Sequence, residues 1–234
     1  MNVLHIPAIT EIISALRELQ NRQDVFLIVF RGAGGKAFSA GVDIKDHTLD
    51  KVEQMLRSFH DVFRMLNTSR WITVASVHGY CLGGGMELAL FCDWVIAEEN
   101  AIFAQPEIKV GCYPPVAAAM LPKWIGYKKA LEIAALGENV TADLLHDVGL
   151  ISKLAAPGQL ETVTNELVAK LSAMSFSVLQ LTKKAVMAGS EATTFEEGLK
   201  NAESIYIDEL TKTRDLGEGI AAFMEKRKPV WSNA

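Results

Sequence analysis

The chain has 234 residues, half of them hydrophobic and 22% charged, which suffices for one substantial core, or one core with a helical appendage. A net charge of −5 with no basic stripe argues against a nucleic-acid partner, and no apolar run reaches the ~20 residues that cross a bilayer. No basic segment followed by an apolar stretch opens the chain, so a cytoplasmic protein without a membrane partner is expected.

Ile9, Ile12, Ile13, Leu16 and Leu19 recur at helical spacing and predict an amphipathic helix from Ile9 to Gln20. After Asp24, the continuous apolar run Val25 to Phe30 predicts a buried strand, which Gly32, Gly34 and Gly35 end. Trp71 to Val77 reads as a second strand, Leu88 to Cys92 as a short helix after the cluster Gly83 to Gly85, and Trp94 to Ala97 as a third strand. Helix alternating with buried strand predicts an α/β architecture. From Gly126 the pattern turns helical, over Tyr127 to Leu136, Gln159 to Ser172, Ser175 to Gly189 and Thr194 to Asp215. The pair Pro157-Gly158 marks a hinge, giving a core over residues 1–157 and a helical region over 158–234.

Cys81, Cys92 and Cys112 are odd in number, lie among apolar residues and show no CxxC spacing. They read as buried free thiols of a reducing compartment, with neither a disulfide framework nor a metal site. His5, His47, His60 and His146 have no ligand spacing. His78 is placed either against a ligand or at a strand end satisfied by backbone, and Asp43 reads more readily as a helix cap than as a catalytic acid.

Three glycine-rich places carry the chemistry. The stretch from Gly32 to Ala37 follows a strand and mimics a dinucleotide fingerprint, yet it lacks the Ser or Thr after Lys36 that a phosphate loop needs. It runs on through Phe38-Ser39-Ala40-Gly41-Val42-Asp43 without opening a helix. The second place, Gly79 to Glu87, lets backbone N–H groups approach a ligand at the start of a helix, where a developing anion is favoured; a tight packing turn accounts for it equally well. The third is Gln105-Pro106-Glu107, ending at Gly111 and Pro114-Pro115; a lone glutamate there is ordinarily solvated.

Together, the segments Lys36 to Lys45, His78 to Leu90, Phe103 to Gly111 and Glu218 to Pro229 resemble the crotonase (enoyl-CoA hydratase/isomerase) family, in order and spacing, over nearly the whole chain. The resemblance implies a spiral of ββα units with a helical C-terminal trimerisation region, assembled as a homotrimer or homohexamer. It implies an acyl-CoA thioester as substrate, with coenzyme A part of that substrate and no separate cofactor. Carried over residue by residue, it implies an oxyanion hole from the backbone N–H groups of Val42 and Gly84, each worth ~3 kcal/mol to an enolate. It makes Glu87 and Glu107 the two carboxyls that add water, a task that needs unlike protonation states in a pair titrating as a unit. It also places Ala40 at the adenine, Lys36 and Lys45 at phosphates, Asp43 and Ile44 on the substrate-binding loop, and Phe223 and Lys226 against coenzyme A.

Two departures from the family pattern stand out. Family members carry a further segment before the position of Asn2 that forms the first strands of the spiral, so either a shortened start or a differently edged sheet is expected here. Hydratases of the family present glycines after the second glutamate, whereas this chain reads Pro114-Pro115-Val116-Ala117. Proline has no N–H, so Pro115 cannot offer a donor towards the attacking water, which is expected to be held differently. The stretch from Val110 to Gly126 resembles the cyclohexa-1,5-diene-1-carbonyl-CoA hydratases of anaerobic aromatic degradation. The alternatives are a general enoyl-CoA hydratase or isomerase, a ring-opening hydrolase or other C–C lyase on the same scaffold, and a non-catalytic acyl-CoA-binding or assembly subunit.

Overall fold

The computed structural model describes residues 1–234 and divides into two compact units, Met1–Asn165 and Glu166–Ala234. In chain order the first unit contains α1 (Ile6–Gln20), β1 (Leu27–Arg31), β2 (Ala37–Ser39), α2 (Val52–Asn67), β3 (Ile72–Val77), β4 (Tyr80–Leu82), α3 (Gly84–Phe91), β5 (Trp94–Glu98), β6 (Ile102–Ala104), α4 (Pro115–Ile125), α5 (Tyr127–Leu136), β7 (Val140–Thr141), α6 (Ala142–Asp147) and β8 (Lys153–Ala155). Three times a longer strand is followed by a short strand and a helix, which is the ββα repeat that the family resemblance implies.

The repeat produces two sheets. The longer strands β1, β3 and β5, with the three-residue β8 at the edge, form a parallel sheet in the order β1-β3-β5-β8, and the other short ones form a second sheet, β2-β4-β6-β7, parallel except for β7. All six residues of β3 are buried, the expected state of a central parallel strand covered on both faces. Met86, Phe103, Leu121 and Leu145 share one core with these strands. A second core joins α1 to α2 through Ile9, Ile13, Phe59 and Phe63 with Trp71. Phe63 packs edge-on against both Phe59 and Phe91, at centroid distances of 4.9 and 5.2 Å.

The helix α7 (Leu160–Ser172) spans the division between the units. The hinge expected at Pro157-Gly158 lies in the loop ahead of that helix, while the compact units part inside it. Its first turns are tied to the sheet, by Arg31 to Asn165 at 3.0 Å and by Ser76 to Thr164 at 3.0 Å.

The second unit adds α8 (Phe176–Glu191), α9 (Phe195–Asp208) and α10 (Arg214–Met224). The continuous helix expected from Thr194 to Asp215 is broken. After Asp208 a 3-10 turn intervenes, and Thr213 adopts an extended conformation that caps α10 by accepting from the Leu216 N–H. Asp215, buried, accepts hydrogen bonds from the hydroxyls of Ser175 and Ser232 and from the N–H groups of Ser232 and Asn233, so it fastens the C-terminal residues to the start of α8. No helix of the chain is long and apolar enough to cross a membrane.

Candidate active site

In the first unit, a cavity of about 640 Å³ is walled by the loop after β2, by α2, by the start of α3 and by the segment from Pro106 to Pro115. Two glycines bring the first and third of these together. Gly41 (φ 87°) lies so close to the β4–α3 turn that a Cβ there would meet the Leu82 carbonyl at 2.7 Å and the Gly84 nitrogen at 3.3 Å. Gly83 (φ 51°) opens α3 in a conformation that L side chains rarely adopt, and its own N–H is spent on the Ala104 carbonyl of β6. Val42 and Gly84 thus become neighbours whose N–H groups have no protein partner, the latter as an orphan donor at a helix start. The tight turn read from the Gly83 cluster is present, and it leaves the Gly84 amide without a protein partner at the cavity.

Glu87 lies one turn into α3 and is 2% exposed. The Ala117 N–H donates to its Oε1 at 2.8 Å. Burial pushes this carboxyl up to about 7; hydrogen bonds from the Ala117 and Val116 amides oppose that, and the Glu107 charge reinforces it. Glu107 sits in a 3-10 turn opened by Pro106, with Oε1 only 2.6 Å from where a Cβ on Gly83 would lie. Its Oε2 is buried without a protein partner, and burial again raises its pKa. Two carboxyls thus flank one cavity beside two free amides.

Pro115 offers no N–H to the cavity, as expected, and it also opens a helix. It is the first residue of α4, where a missing N–H costs nothing, and the amides that follow it bind Glu87. The Ala117 amide, two residues on, is aimed at the Glu87 carboxyl.

Of the other expected site residues, Ala40 and Ile44 line the cavity. Asp43 caps the 3-10 turn Ile44–Asp46 by accepting from the Lys45 N–H. Lys36 and Lys45 are exposed and stand outside the cavity wall. Phe223 and Lys226 belong to the second unit, at the end of α10 and just past it. His78 lines a separate cavity of about 360 Å³ at the ends of β1, β3 and β5, and its Nε2 is buried without a protein partner. Cys81 and Cys92 are buried as expected, but Cys112 is partly exposed and faces the main cavity.

Sequence reasoning missed α2 entirely, and with it the wall formed by Met55, Leu56, Phe59 and His60. The signal was present, because Met55, Phe59, Val62, Phe63 and Leu66 follow a helical period. His47 also faces the cavity; burial, followed by the Arg64 charge, lowers the pKa of His60. No three His, Cys, Asp or Glu side chains gather closely enough to hold a metal ion.

Two sheets wound from ββα repeats, with two free amides and two carboxyls lining one cavity, define a class of protein suited to hold an oxyanion while protons move on the adjoining carbons. The chain belongs to the enoyl-CoA hydratase/isomerase family, whose sequence profile matches residues 1–234. It is 37% identical to a probable mitochondrial enoyl-CoA hydratase of Dictyostelium discoideum, covering all of this chain and 84% of that one. It is 33% identical to the cyclohexa-1,5-dienecarbonyl-CoA hydratase of Thauera aromatica, over 88% of this chain and 79% of that one. Among solved structures, the enoyl-CoA hydratase of Bacillus anthracis superposes with a TM-score of 0.92 at 27% identity, covering 99% and 91% of the two chains. The chain is therefore an enzyme of the hydratase/isomerase type acting on acyl-CoA thioesters.

Proposed function

We propose that the enzyme adds water across the α,β double bond of an enoyl-CoA, with the thioester oxygen between the N–H groups of Val42 and Gly84. One of Glu87 and Glu107 is ionised and takes a proton from water as its oxygen bonds to Cβ. The C=C electron pair moves towards the thioester oxygen, where the two amides meet the enolate charge. The other carboxyl, protonated, then delivers its proton to Cα; the elements of water have been added and the pair has exchanged one proton. The observation that carries this reading is that both carboxyls face the same cavity as the free amides and both have raised pKa values. Replacing Glu107 by Gln should abolish hydration of crotonyl-CoA while leaving binding of a saturated acyl-CoA nearly intact. A fully active variant would remove Glu107 from the mechanism, and an isomerase would show double-bond migration without uptake of water.

A narrower reading, hydration of cyclohexa-1,5-diene-1-carbonyl-CoA, is favoured by the wall of Tyr113 and Pro115 and by the likeness to the Thauera aromatica enzyme. The ring substrate should then be turned over faster than crotonyl-CoA at equal concentration; the reverse order leaves the general hydratase. For coenzyme A, the proposed contacts are Ala40 with the adenine, Lys36 and Lys45 with phosphates, Asp43 and Ile44 along the loop, and Phe223 with Lys226. Phe195, Phe223 and Met224 expose large apolar side chains on the C-terminal helices, which supports assembly as a trimer or hexamer, measurable by light scattering.

A further inference from the structure

The loop that presents Val42 is held from behind by the segment ahead of α1. The Met1 carbonyl accepts from the Ala40 N–H at 2.9 Å, and the Leu4 N–H donates to the Gly41 carbonyl at 2.9 Å. The Leu4 carbonyl accepts from the Asp43 N–H at 3.3 Å, completing a short parallel bridge between Leu4 and Val42. Main-chain amides alternate in direction along an extended chain, so fixing Asp43 N–H towards Leu4 turns Val42 N–H the opposite way. Ala40, Gly41 and Asp43 all have partners for their N–H groups; Val42 alone is left free.

Asn2 is at the centre of this clamp. Its backbone is left-handed (φ 51°), a conformation that asparagine enters more readily than most residues. Its side-chain nitrogen donates to three carbonyls, those of Ala33 at 3.0 Å, Ala37 at 2.8 Å and Phe38 at 3.1 Å, gathering the β1–β2 turn and β2 onto one amide. The hydroxyl of Ser39, 3% exposed, donates to the Asn2 carbonyl at 2.8 Å and accepts from the Gly41 N–H at 3.1 Å. A chain of buried and partly buried hydrogen bonds thus runs from the Asn2 main-chain carbonyl through Ser39 to the Gly41 N–H, and such a network holds a geometry rigidly when its members are satisfied.

We infer that Asn2, acting through Ser39, is a positioning residue for the oxyanion hole: it touches no substrate and sets the direction of the Val42 N–H. The inference rests on the reading of Val42 and Gly84 as the oxyanion donors. A misdirected donor removes stabilisation that grows only as the enolate forms, so the loss falls on kcat and leaves KM nearly unchanged.

The test uses two variants and a chromophore. Asn2→Gly keeps the left-handed backbone and deletes the three donations; Ser39→Ala cuts the relay. The probe is 4-(dimethylamino)cinnamoyl-CoA, a push–pull thioester whose absorption moves to longer wavelength as its carbonyl is polarised. The wild-type enzyme should redden the bound probe, and both variants should redden it less while losing roughly 10–100-fold in kcat for crotonyl-CoA. Glu87→Gln should lose kcat and keep the full red shift, separating donor geometry from proton transfer. Wild-type reddening and kcat in Ser39→Ala, with native circular dichroism, overturns the inference even if Asn2→Gly does not fold. Absence of reddening in the wild type would sink the oxyanion reading itself, and the inference with it.

Discussion

In the mechanism proposed above, the two walls of the cavity perform their tasks with different parts of the chain. The amide wall, from Ala40 to Val42 and from Gly83 to Gly84, works with main-chain N–H groups, and its side chains matter by being absent or out of the way. The carboxyl wall, Glu87 and Glu107, works with side chains whose protonation is set by burial and by the amides of α4. Errors on the first wall are therefore geometric, and errors on the second are chemical. Substitutions can break the two walls separately.

The largest effect is expected from Gly41→Ala. The new Cβ would lie 2.7 Å from the Leu82 carbonyl and 3.3 Å from the Gly84 nitrogen, at a φ of 87° that alanine resists, so both donors move together. With each donor worth roughly 10²–10³-fold, kcat should fall by about 10⁴-fold, read in a crotonyl-CoA hydration assay on protein with native circular dichroism. A loss under tenfold would show that the amides do not hold the thioester oxygen. Next comes Glu87→Gln, expected to lower kcat about 10³-fold with the fold intact, since general acid–base groups contribute on that scale. Its amide oxygen still accepts the Ala117 N–H, so the variant removes proton exchange and little else.

The same division governs what could be read from the sequence. The long strands and α1 were legible because their apolar runs and periods are unambiguous; Glu87 and Glu107, each ordinary alone, were legible only through the conjunction of motifs that resembles the family. The three-residue strands β2, β4 and β6 were not, since a run that short carries no period and is fixed by pairing with distant neighbours. The clamp of Asn2 on carbonyls 31 to 36 residues away left no local trace either. Pro115 was only half legible for a related reason: the missing N–H was visible, but not that residue 115 would begin a helix whose next amides face Glu87.

A smaller effect separates the walls by pH. The folded-state pKa of Glu87 is raised to about 7 from an ordinary 4.5, so folding disfavours its ionised form. The sign follows from linkage: stability from this group is fully present below pH 4.5 and is lost as pH rises through about 7. The loss amounts to about 3 kcal/mol. Glu87→Gln escapes it, so the stability difference between variant and wild type in urea unfolding should grow in the variant's favour by about 3 kcal/mol from acid to mildly alkaline pH. A difference that stays flat with pH would show that Glu87 is not buried in the way its partners indicate. No such dependence is expected for Gly41→Ala, whose defect does not titrate.

The smallest effect is expected one residue further along the amide wall. Val42 supplies an N–H and a side chain, and in the proposed mechanism the N–H alone meets the thioester oxygen; its Cγ2 packs near Gly84, beside Phe59. Val42→Ala keeps the amide and the parallel bridge to Leu4, because that bridge is made by the peptides on either side. The hydration rate should change by no more than about threefold, because the donor is main chain. Stability should fall by about 1 kcal/mol for the methyl groups lost. Adjacent substitutions to the same residue type, Gly41→Ala and Val42→Ala, are thus expected to differ by about three orders of magnitude in rate, an inversion of what side-chain size alone would suggest. Comparable losses in the two would mean that the Val42 side chain, and not its amide, is what this wall presents to the substrate.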